Sequence, residues 1–104
     1  MFITLIKTSD VAAADVADYE KLSARMAELA MSMPGFIEAK SYTGEDGESL
    51  SIIRFADEAS HEAWRTHPEH QQAMKLGRDR FYASFKIEVC EVKRTREFSR
   101  PQGA

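Results

Sequence analysis

The apolar positions in the first half of the chain predict a strand followed by a helix. Residues 2–8 (FITLIKT) are rich in β-forming side chains and predict a first strand. Between residues 16 and 33, apolar side chains recur every three or four positions, which puts them on one face of an amphipathic helix. We expect this helix to begin between Val11 and Asp15 and to end at Pro34–Gly35, because proline cannot continue a helix and glycine permits the turn.

The second half of the chain predicts a hairpin and then a second helical region. Residues 36–43 and 50–55 read as two strands on either side of an acidic turn that contains two glycines. Asp57 is a typical helix cap, and the helix that follows it breaks at His67–Pro68. Because proline suits the first position of a helix, a short helix restarts there, and Gly77 is expected to end it.

Residues 81–93 (FYASFKIEVCEVK) predict a long fourth strand, which completes the order β-α-β-β-α-β. This is the ferredoxin-like arrangement, an α+β fold in which helices cover one face of a four-stranded antiparallel sheet. We expect it to occupy residues 1–94 as one domain, followed by a polar tail at 95–104. The first and last strands carry apolar residues on both faces, and a sheet of this kind is usually covered on both. The chain has no element left for the second face, so we expect a homodimer packed sheet against sheet.

Composition excludes several kinds of partner. The chain of 104 residues has a net charge of -3 and a pI near 5.6, which argues against a nucleic-acid partner. No apolar run approaches the roughly 20 residues that a membrane span needs, so no membrane partner is expected. Cys90 is the only cysteine, which rules out an internal disulfide and makes a cytoplasmic location the default expectation. Its place within a strand predicts a small buried side chain rather than a nucleophile.

Candidate chemistry is concentrated in residues 57–82, which hold the only tryptophan and all three histidines. Trp64 suits a core position on its helix or a pocket wall on which a flat aromatic ligand stacks, and the two roles are compatible. His70 suits proton transfer from a phenol near neutral pH, and the alternative is a surface position or a dimer contact. His67 either contacts substrate or caps the helix break, and His61 is expected to face solvent.

The segment HPEH at residues 67–70 does not predict a metal site. A proline separates the two histidines, and the spacing matches neither HExxH nor HxxEH. We therefore expect no metal ligands here.

Two arginines and two tyrosines complete the set of candidates. Arg78 and Arg80 stand where the chain turns into the last strand, and a guanidinium there suits a planar phenolate or semiquinone anion. The alternative is an ion pair with a nearby carboxylate or with the partner subunit. Tyr82 and Tyr42 either donate to a substrate carbonyl or close the edge of the sheet.

Three stretches together resemble one known family. They are MPGFIEAKSY, LSIIRFADEASHEAWRTHPEHQQA and FYASFKIEVCEVKR, and the likeness extends over residues 1 to about 94. The chain is similar to the antibiotic biosynthesis monooxygenase domain, a member of the dimeric α+β barrel superfamily. This resemblance implies a homodimer whose two sheets close into a barrel, with a cavity in each protomer between sheet and helices. Members of the family include cofactor-independent monooxygenases that act on polycyclic phenols and quinone precursors, and haem-degrading enzymes.

The resemblance also assigns roles to particular residues. The haem-degrading branch uses an asparagine on its first strand and a histidine ten residues after the tryptophan. Here that strand has no asparagine and the second position is Met74, so haem degradation is disfavoured. The resemblance therefore implies a monooxygenase for a small aromatic phenol, with no cofactor, and the alternative is a non-catalytic dimeric module that binds a small molecule. The expected catalytic residues are His70, Arg78 and Tyr82, and the expected substrate-binding residues are Trp64, His67, Arg80 and Tyr42.

Overall fold

The computed structural model describes residues 1–101, which form four strands and three α-helices. A short 3-10 helix, Ala13–Asp15, leads into the first α-helix, and a π-helical turn, Gly77–Phe81, follows the last. In chain order the main elements are β1 (Phe2–Thr8), α1 (Val16–Ser32), β2 (Phe36–Thr43), β3 (Ser49–Phe55), α2 (Glu58–Arg65), α3 (Pro68–Leu76) and β4 (Phe85–Glu91).

The four strands form one antiparallel sheet in the order β2-β3-β1-β4. This order and the position of the helices confirm the predicted ferredoxin-like α+β fold. The register pairs Thr4 with Ile53 across β1 and β3, and both side chains are buried on the face that the helices cover. Alternate residues of the same strands, such as Leu5 and Ile52, point to the opposite face, because successive side chains of a strand alternate.

The core lies between the central strands and the helices. It consists of a buried cluster with three partly buried neighbours packed against it, and aromatic rings supply much of its contact area. Phe55 is fully buried, and its ring lies 5.4 Å from that of Trp64, centroid to centroid. The cluster is Ala30, Ile53, Phe55 and Trp64, and its neighbours are Ile6, Met33 and Phe36.

The ends of two helices follow the predicted local chemistry. Helix α1 ends just before Pro34, and Gly35 then adopts a left-handed conformation with φ of 81°. A Cβ atom on Gly35 would lie 2.2 Å from Oγ and 2.6 Å from Cβ of Ser60, so glycine is required by both conformation and space. Helix α2 begins at the predicted cap, since the backbone N–H of Ser60 donates to Oδ1 of Asp57 at 2.8 Å.

Helix α3 ends at Leu76 with Gly77 as its cap, as predicted, but the chain stays helical beyond this point. Gly77 keeps helical angles, φ -56° and ψ -48°. The chain continues as the π-helical turn, in which the N–H of Tyr82 donates to the carbonyl oxygen of Gly77 at 2.9 Å. Strand β4 consequently begins at Phe85 rather than at Phe81. A glycine that keeps right-handed angles carries no stop signal, which is why the sequence pattern missed the extra turn.

Within residues 1–101, no helix or strand covers the face of the sheet away from the helices. Strand β4 lies at the edge, and every one of its residues is exposed. Cys90 is therefore exposed, and the prediction of a buried cysteine is wrong for the single chain. Beyond β4, residues 92–101 form no helix or strand, and residues 102–104 of the predicted tail lie outside the described residues. Among residues 1–101, no helix is long and apolar enough to cross a membrane.

Candidate functional site

A cavity of about 280 Å³ lies between the sheet and the helices. Its volume is just below the range of roughly 300–1,000 Å³ that small-molecule sites usually occupy. Helix α1 forms one long wall, and helix α3 and the sheet face it across an interior that is mainly apolar. The apolar side chains that line the cavity include Ile6, Leu22, Met26, Ile53, Ala73 and Met74.

An ion pair on the surface ties the two helices that enclose the cavity. The guanidinium of Arg25 on α1 donates to both carboxylate oxygens of Glu69 on α3. Such a bidentate pair fixes orientation as well as distance. Because Glu69 directly precedes His70, this contact helps to position the one histidine that lines the cavity.

Trp64 lines the cavity, and its indole also carries a buried hydrogen-bond donor that has no acceptor in the protein. Its indole Nε1 is the one buried side-chain nitrogen or oxygen in residues 1–101 that lacks a protein partner. A buried donor without an acceptor costs about 1–3 kcal/mol, so native proteins rarely leave one unpaired without a reason. The side chain as a whole is only 4% exposed and belongs to the core cluster. Trp64 is thus both a core anchor and a wall of the cavity.

His70 is buried beside this indole, with the two ring centroids 4.3 Å apart. Its Nδ1 lies 3.2 Å from the carbonyl oxygen of Arg65. A carbonyl oxygen can only accept, so Nδ1 carries the hydrogen and Nε2 of the neutral ring carries a lone pair. Burial lowers the pKa of His70, which keeps the ring neutral near pH 7. The side chain therefore combines a free lone pair with the charge state that a proton acceptor needs.

Two tyrosines form a hydrogen-bonded pair in the same cavity. The hydroxyl of Tyr82 donates to the hydroxyl of Tyr19 at 2.8 Å, and their rings meet edge to face. Burial, together with this hydrogen bond, raises the pKa of Tyr82, so its hydroxyl stays protonated. Sequence reasoning did not identify Tyr19 as a site residue. The sequence feature that could have identified Tyr19 is its polar hydroxyl on the otherwise apolar face of α1.

Four of the seven expected site residues are not among those that line the cavity. Arg80 bridges Asp15 and Asp18 at the start of α1, with nitrogen–oxygen distances of 3.1 and 2.7 Å. Arg78 is exposed and lies 3.7 Å from Asp79. These contacts match the ion-pair alternative for both arginines.

The other two of these four residues, His67 and Tyr42, also make their contacts outside the cavity. His67 caps α3, since its Nδ1 accepts from the backbone N–H of Glu69 at 3.1 Å. Tyr42 is 49% exposed and pairs with Leu50 on the sheet face away from the helices. The structure therefore brings together Trp64, His70 and Tyr82, and it leaves the other four outside the cavity lining.

The prediction that His61 faces solvent is wrong. Its side chain is 1% exposed, and Nε2 lies 2.5 Å from Oγ1 of Thr4 on β1. The ring contacts Phe55 and Trp64, with a centroid distance of 5.8 Å to the indole. Burial lowers the pKa of His61. The ring of His61 packs against Trp64. This position depends on how α2 packs against β1, which the sequence pattern does not show.

No group of three or more metal-ligating side chains comes together in the part of the chain that the structure describes.

Comparison with known proteins gives a consistent family match. Residues 1–76 match the family described as antibiotic biosynthesis monooxygenase. The chain is 32% identical over 90 residues to YqjZ, an uncharacterized protein of Bacillus subtilis (strain 168), and the match covers 86% of this chain and 79% of YqjZ.

Solved structures agree with this match at the level of the fold. A protein from Deinococcus radiodurans, assigned provisionally as an antibiotic biosynthesis monooxygenase, superposes with a TM-score of 0.80 at 16% identity and covers 95% of this chain and 99% of its own. SnoaB, a cofactor-independent oxygenase from Streptomyces nogalater, superposes in a mutant form with a TM-score of 0.71 at 18% identity, covering 90% and 95%. Rv0793 from Mycobacterium tuberculosis gives 0.74 at 12% identity, covering 93% and 100%.

Proposed function

The chain belongs to the antibiotic biosynthesis monooxygenase family, and from this premise we propose that it is a cofactor-independent monooxygenase for a small phenolic or quinone-precursor aromatic molecule. The observation that carries the proposal is the unpaired indole donor of Trp64 next to the neutral imidazole of His70. A phenol offers an oxygen for the first group and a proton for the second. SnoaB, which has the same fold, is a cofactor-independent oxygenase.

The proposed roles follow from the chemistry of each group. The lone pair on Nε2 of His70 takes the hydroxyl proton of the bound phenol or enol. The indole N–H of Trp64 donates to a substrate oxygen and stabilises the anion that forms. The lining is mainly apolar, and the low local dielectric strengthens both interactions. Tyr82 donates a hydrogen bond to Tyr19 and so holds the Tyr19 hydroxyl in place within the cavity.

The reaction balances with molecular oxygen as the only co-reactant. The deprotonated substrate passes one electron to O₂, and the two radicals join to form a carbon–oxygen bond. The peroxide anion takes the proton back from His70. Loss of the C–H proton from the same carbon then breaks the O–O bond, which leaves a carbonyl group and releases water. The substrate's CH₂ group thereby supplies all four electrons that reduce O₂.

We further propose that the working unit is a homodimer packed sheet against sheet. The face away from the helices presents the partly buried apolar side chains Ile3, Leu5, Leu50 and Ile52. Residues 1–94 would form the domain, with 95–104 as its tail. The single cysteine supports a cytoplasmic location.

A second function is supported by the absence of asparagine from the chain. The resemblance associates some oxygenases of this family with an asparagine, and this chain has no such residue to contribute. The second candidate is therefore a dimeric module that binds the same class of aromatic molecule without reacting. Haem degradation is not proposed, because Met74 stands where that branch has its histidine.

Oxygen uptake by metal-stripped protein against anthrones, hydroquinones and naphthols tests the proposal. The structure makes Trp64→Phe the right variant, because it removes the N–H but keeps a ring in the core. We expect uptake that depends on the protein, and that falls at least tenfold in both Trp64→Phe and His70→Gln. Lys21→Gln, at an exposed position on α1 outside the cavity lining, serves as the control with unchanged uptake.

One NMR signal separates the two candidate functions. The chain has a single tryptophan, so its indole N–H gives one resonance in a ¹⁵N-labelled sample. A shift of this resonance on addition of 2-naphthol, without any oxygen uptake across the panel, would support the binding module. No shift and no uptake would contradict both functions.

A further inference from the structure

The cavity is elongated along α1. Its lining residues on that helix occupy successive turns from Tyr19 to Ala30. This span of eleven residues corresponds to about 16 Å at 1.5 Å per residue. Ala30 belongs to the same buried cluster as Trp64, whereas Tyr19 packs against Phe81 and Tyr82. Trp64 therefore lies towards the Ala30 end of the cavity, and Tyr19 lies at the other end. The ion pair between Arg25 and Glu69 places His70 beside the middle of α1.

The direction of the tyrosine hydrogen bond leaves one donor free. Because the hydroxyl of Tyr82 donates to that of Tyr19, the hydrogen of Tyr19 takes no part in the bond. Among the side-chain hydrogen bonds of residues 1–101, the Tyr19 hydroxyl has no acceptor. Burial and the hydrogen bond to Tyr19 raise the pKa of Tyr82, so its hydroxyl keeps the hydrogen that it donates.

Neighbouring contacts hold this end of the cavity in place. Arg80, in the π-helical turn, is bonded to Asp15 and Asp18 and so fixes the turn against the start of α1. The ring of Tyr82 lies against Gly77, where a Cβ atom would be 2.8 Å from Cε2 of that ring. The turn that the sequence pattern missed thus positions Tyr82, and Tyr82 orients Tyr19.

We propose that the Tyr19 hydroxyl is a second ligand-binding donor, so that the site takes an elongated aromatic molecule with an oxygen function at each end. One oxygen binds between Trp64 and His70, and the other accepts from Tyr19. The apolar body between them contacts Leu22 and Met26. This inference rests on the proposed function, because it assumes that an aromatic ligand occupies the cavity. It adds a requirement for the second oxygen, and it assigns that requirement to a residue on α1.

Calorimetric titration with two probes tests the inference. The probes are 2,6-dihydroxynaphthalene, with an oxygen at each end, and 2-naphthol, which lacks the second oxygen. One hydrogen bond contributes about 2- to 12-fold in affinity, and the two equivalent hydroxyls of the diol add a statistical factor of about two, so we expect the wild type to bind the diol about 4- to 25-fold more tightly. Tyr19→Phe should reduce the ratio to the statistical value of about 2 and leave the affinity for 2-naphthol unchanged. Tyr42→Phe removes a hydroxyl from the opposite face of the sheet and should keep the wild-type ratio.

A further variant tests the role of the partner tyrosine. Tyr82→Phe keeps the Tyr19 hydroxyl but removes the group that orients it, so the ratio should fall below that of the wild type. An unchanged ratio in this variant would overturn the positioning role of Tyr82. Because each ratio compares two ligands on the same protein, a general loss of stability in a variant does not alter the conclusion.

The outcomes separate this inference from the function on which it rests. If the wild type shows only the statistical ratio, or if Tyr19→Phe keeps the wild-type ratio, the second subsite is overturned and the proposed function stands. If neither probe binds the wild type, the proposed function and the second subsite fall together.

Discussion

The chemistry of single residues in the cavity depends on which nitrogen of His70 carries the hydrogen. The carbonyl oxygen of Arg65 holds that hydrogen on Nδ1, which leaves Nε2 as the acceptor. Trp64, 4.3 Å away between ring centroids, supplies the donor. In the proposed reaction, His70 takes the proton of a substrate oxygen, and the indole N–H of Trp64 stabilises the anion that forms.

The pH dependence of the reaction follows from the lowered pKa of His70. A base must be unprotonated, and burial moves the protonation of this ring below its ordinary value of 6.5. We therefore expect kcat/KM to stay level as the pH falls through 6.5 and to decline only at lower pH. Initial rates of oxygen uptake between pH 4.5 and 8 measure this profile. A decline centred at or above pH 6.5 would argue against a buried neutral base, and His70→Gln should lose the acidic limb.

The buried contact between Thr4 and His61 should contribute to stability. Thr4→Val keeps the shape of the side chain but leaves Nε2 of His61 buried without a partner. The expected loss is about 1–3 kcal/mol in the free energy of unfolding, measured by denaturant titration. Thr43→Val, at the exposed end of β2, is the matched control and should change stability by less than about 0.5 kcal/mol. Equal effects of the two substitutions would contradict the role assigned to His61.

Residue types predicted the site only in part. Trp64, His70 and Tyr82 were chosen for their chemistry, and all three line the cavity. Arg78 and Arg80 were chosen on the same basis, but they lie on the exposed side of a π-helical turn. His61 and Tyr19 were missed, since their importance depends on which strand or turn packs against them.

At the scale of elements, the turn between α1 and β2 sets the direction in which the chain enters the sheet. Gly35→Ala places a Cβ atom in a left-handed conformation and against Ser60 of α2. Loss of about 1–3 kcal/mol in the free energy of unfolding is expected, because strain and collision add. Gly44→Ala is the control, since its Cβ would come close only to the flexible side chain of Asp46 and would lie at an ordinary 3.6 Å from the backbone oxygen of Glu48. Equal effects would show that the turn at Gly35 is not strained by a side chain.

Element order and most boundaries could be predicted from the sequence. Alternation, capping and the Pro34–Gly35 stop are local signals, and the helices and strands follow them. The π-helical turn could not be predicted, because it arises where Tyr82 packs onto Gly77 and the chain must still reach β4. That turn forms one end of the cavity. Local sequence patterns therefore predicted the wrong contacts for the residues of the turn.

At the scale of the whole molecule, one face of the sheet is left open by residues 1–101, and the homodimer prediction rests on this face. Ile52 lies on β3 at the centre of that face, so Ile52→Asp should separate the subunits. Sedimentation equilibrium should then report a mass near 11.8 kDa in place of about twice that value. Met31→Asp changes an apolar residue on α1 that is 65% exposed, and it should leave the dimer intact. A wild type that sediments as a monomer would contradict the prediction.

The measurement that tests the central claim most directly is the fate of oxygen atoms from ¹⁸O₂. An anthrone is incubated under ¹⁸O₂ with metal-stripped protein, and the product is examined by mass spectrometry. The proposed reaction predicts one ¹⁸O atom in the new carbonyl group and the other in water, at a rate that depends on the protein and falls in His70→Gln. Incorporation at the same rate without the protein, or in the variant, would contradict the assignment of this cavity as a monooxygenase site.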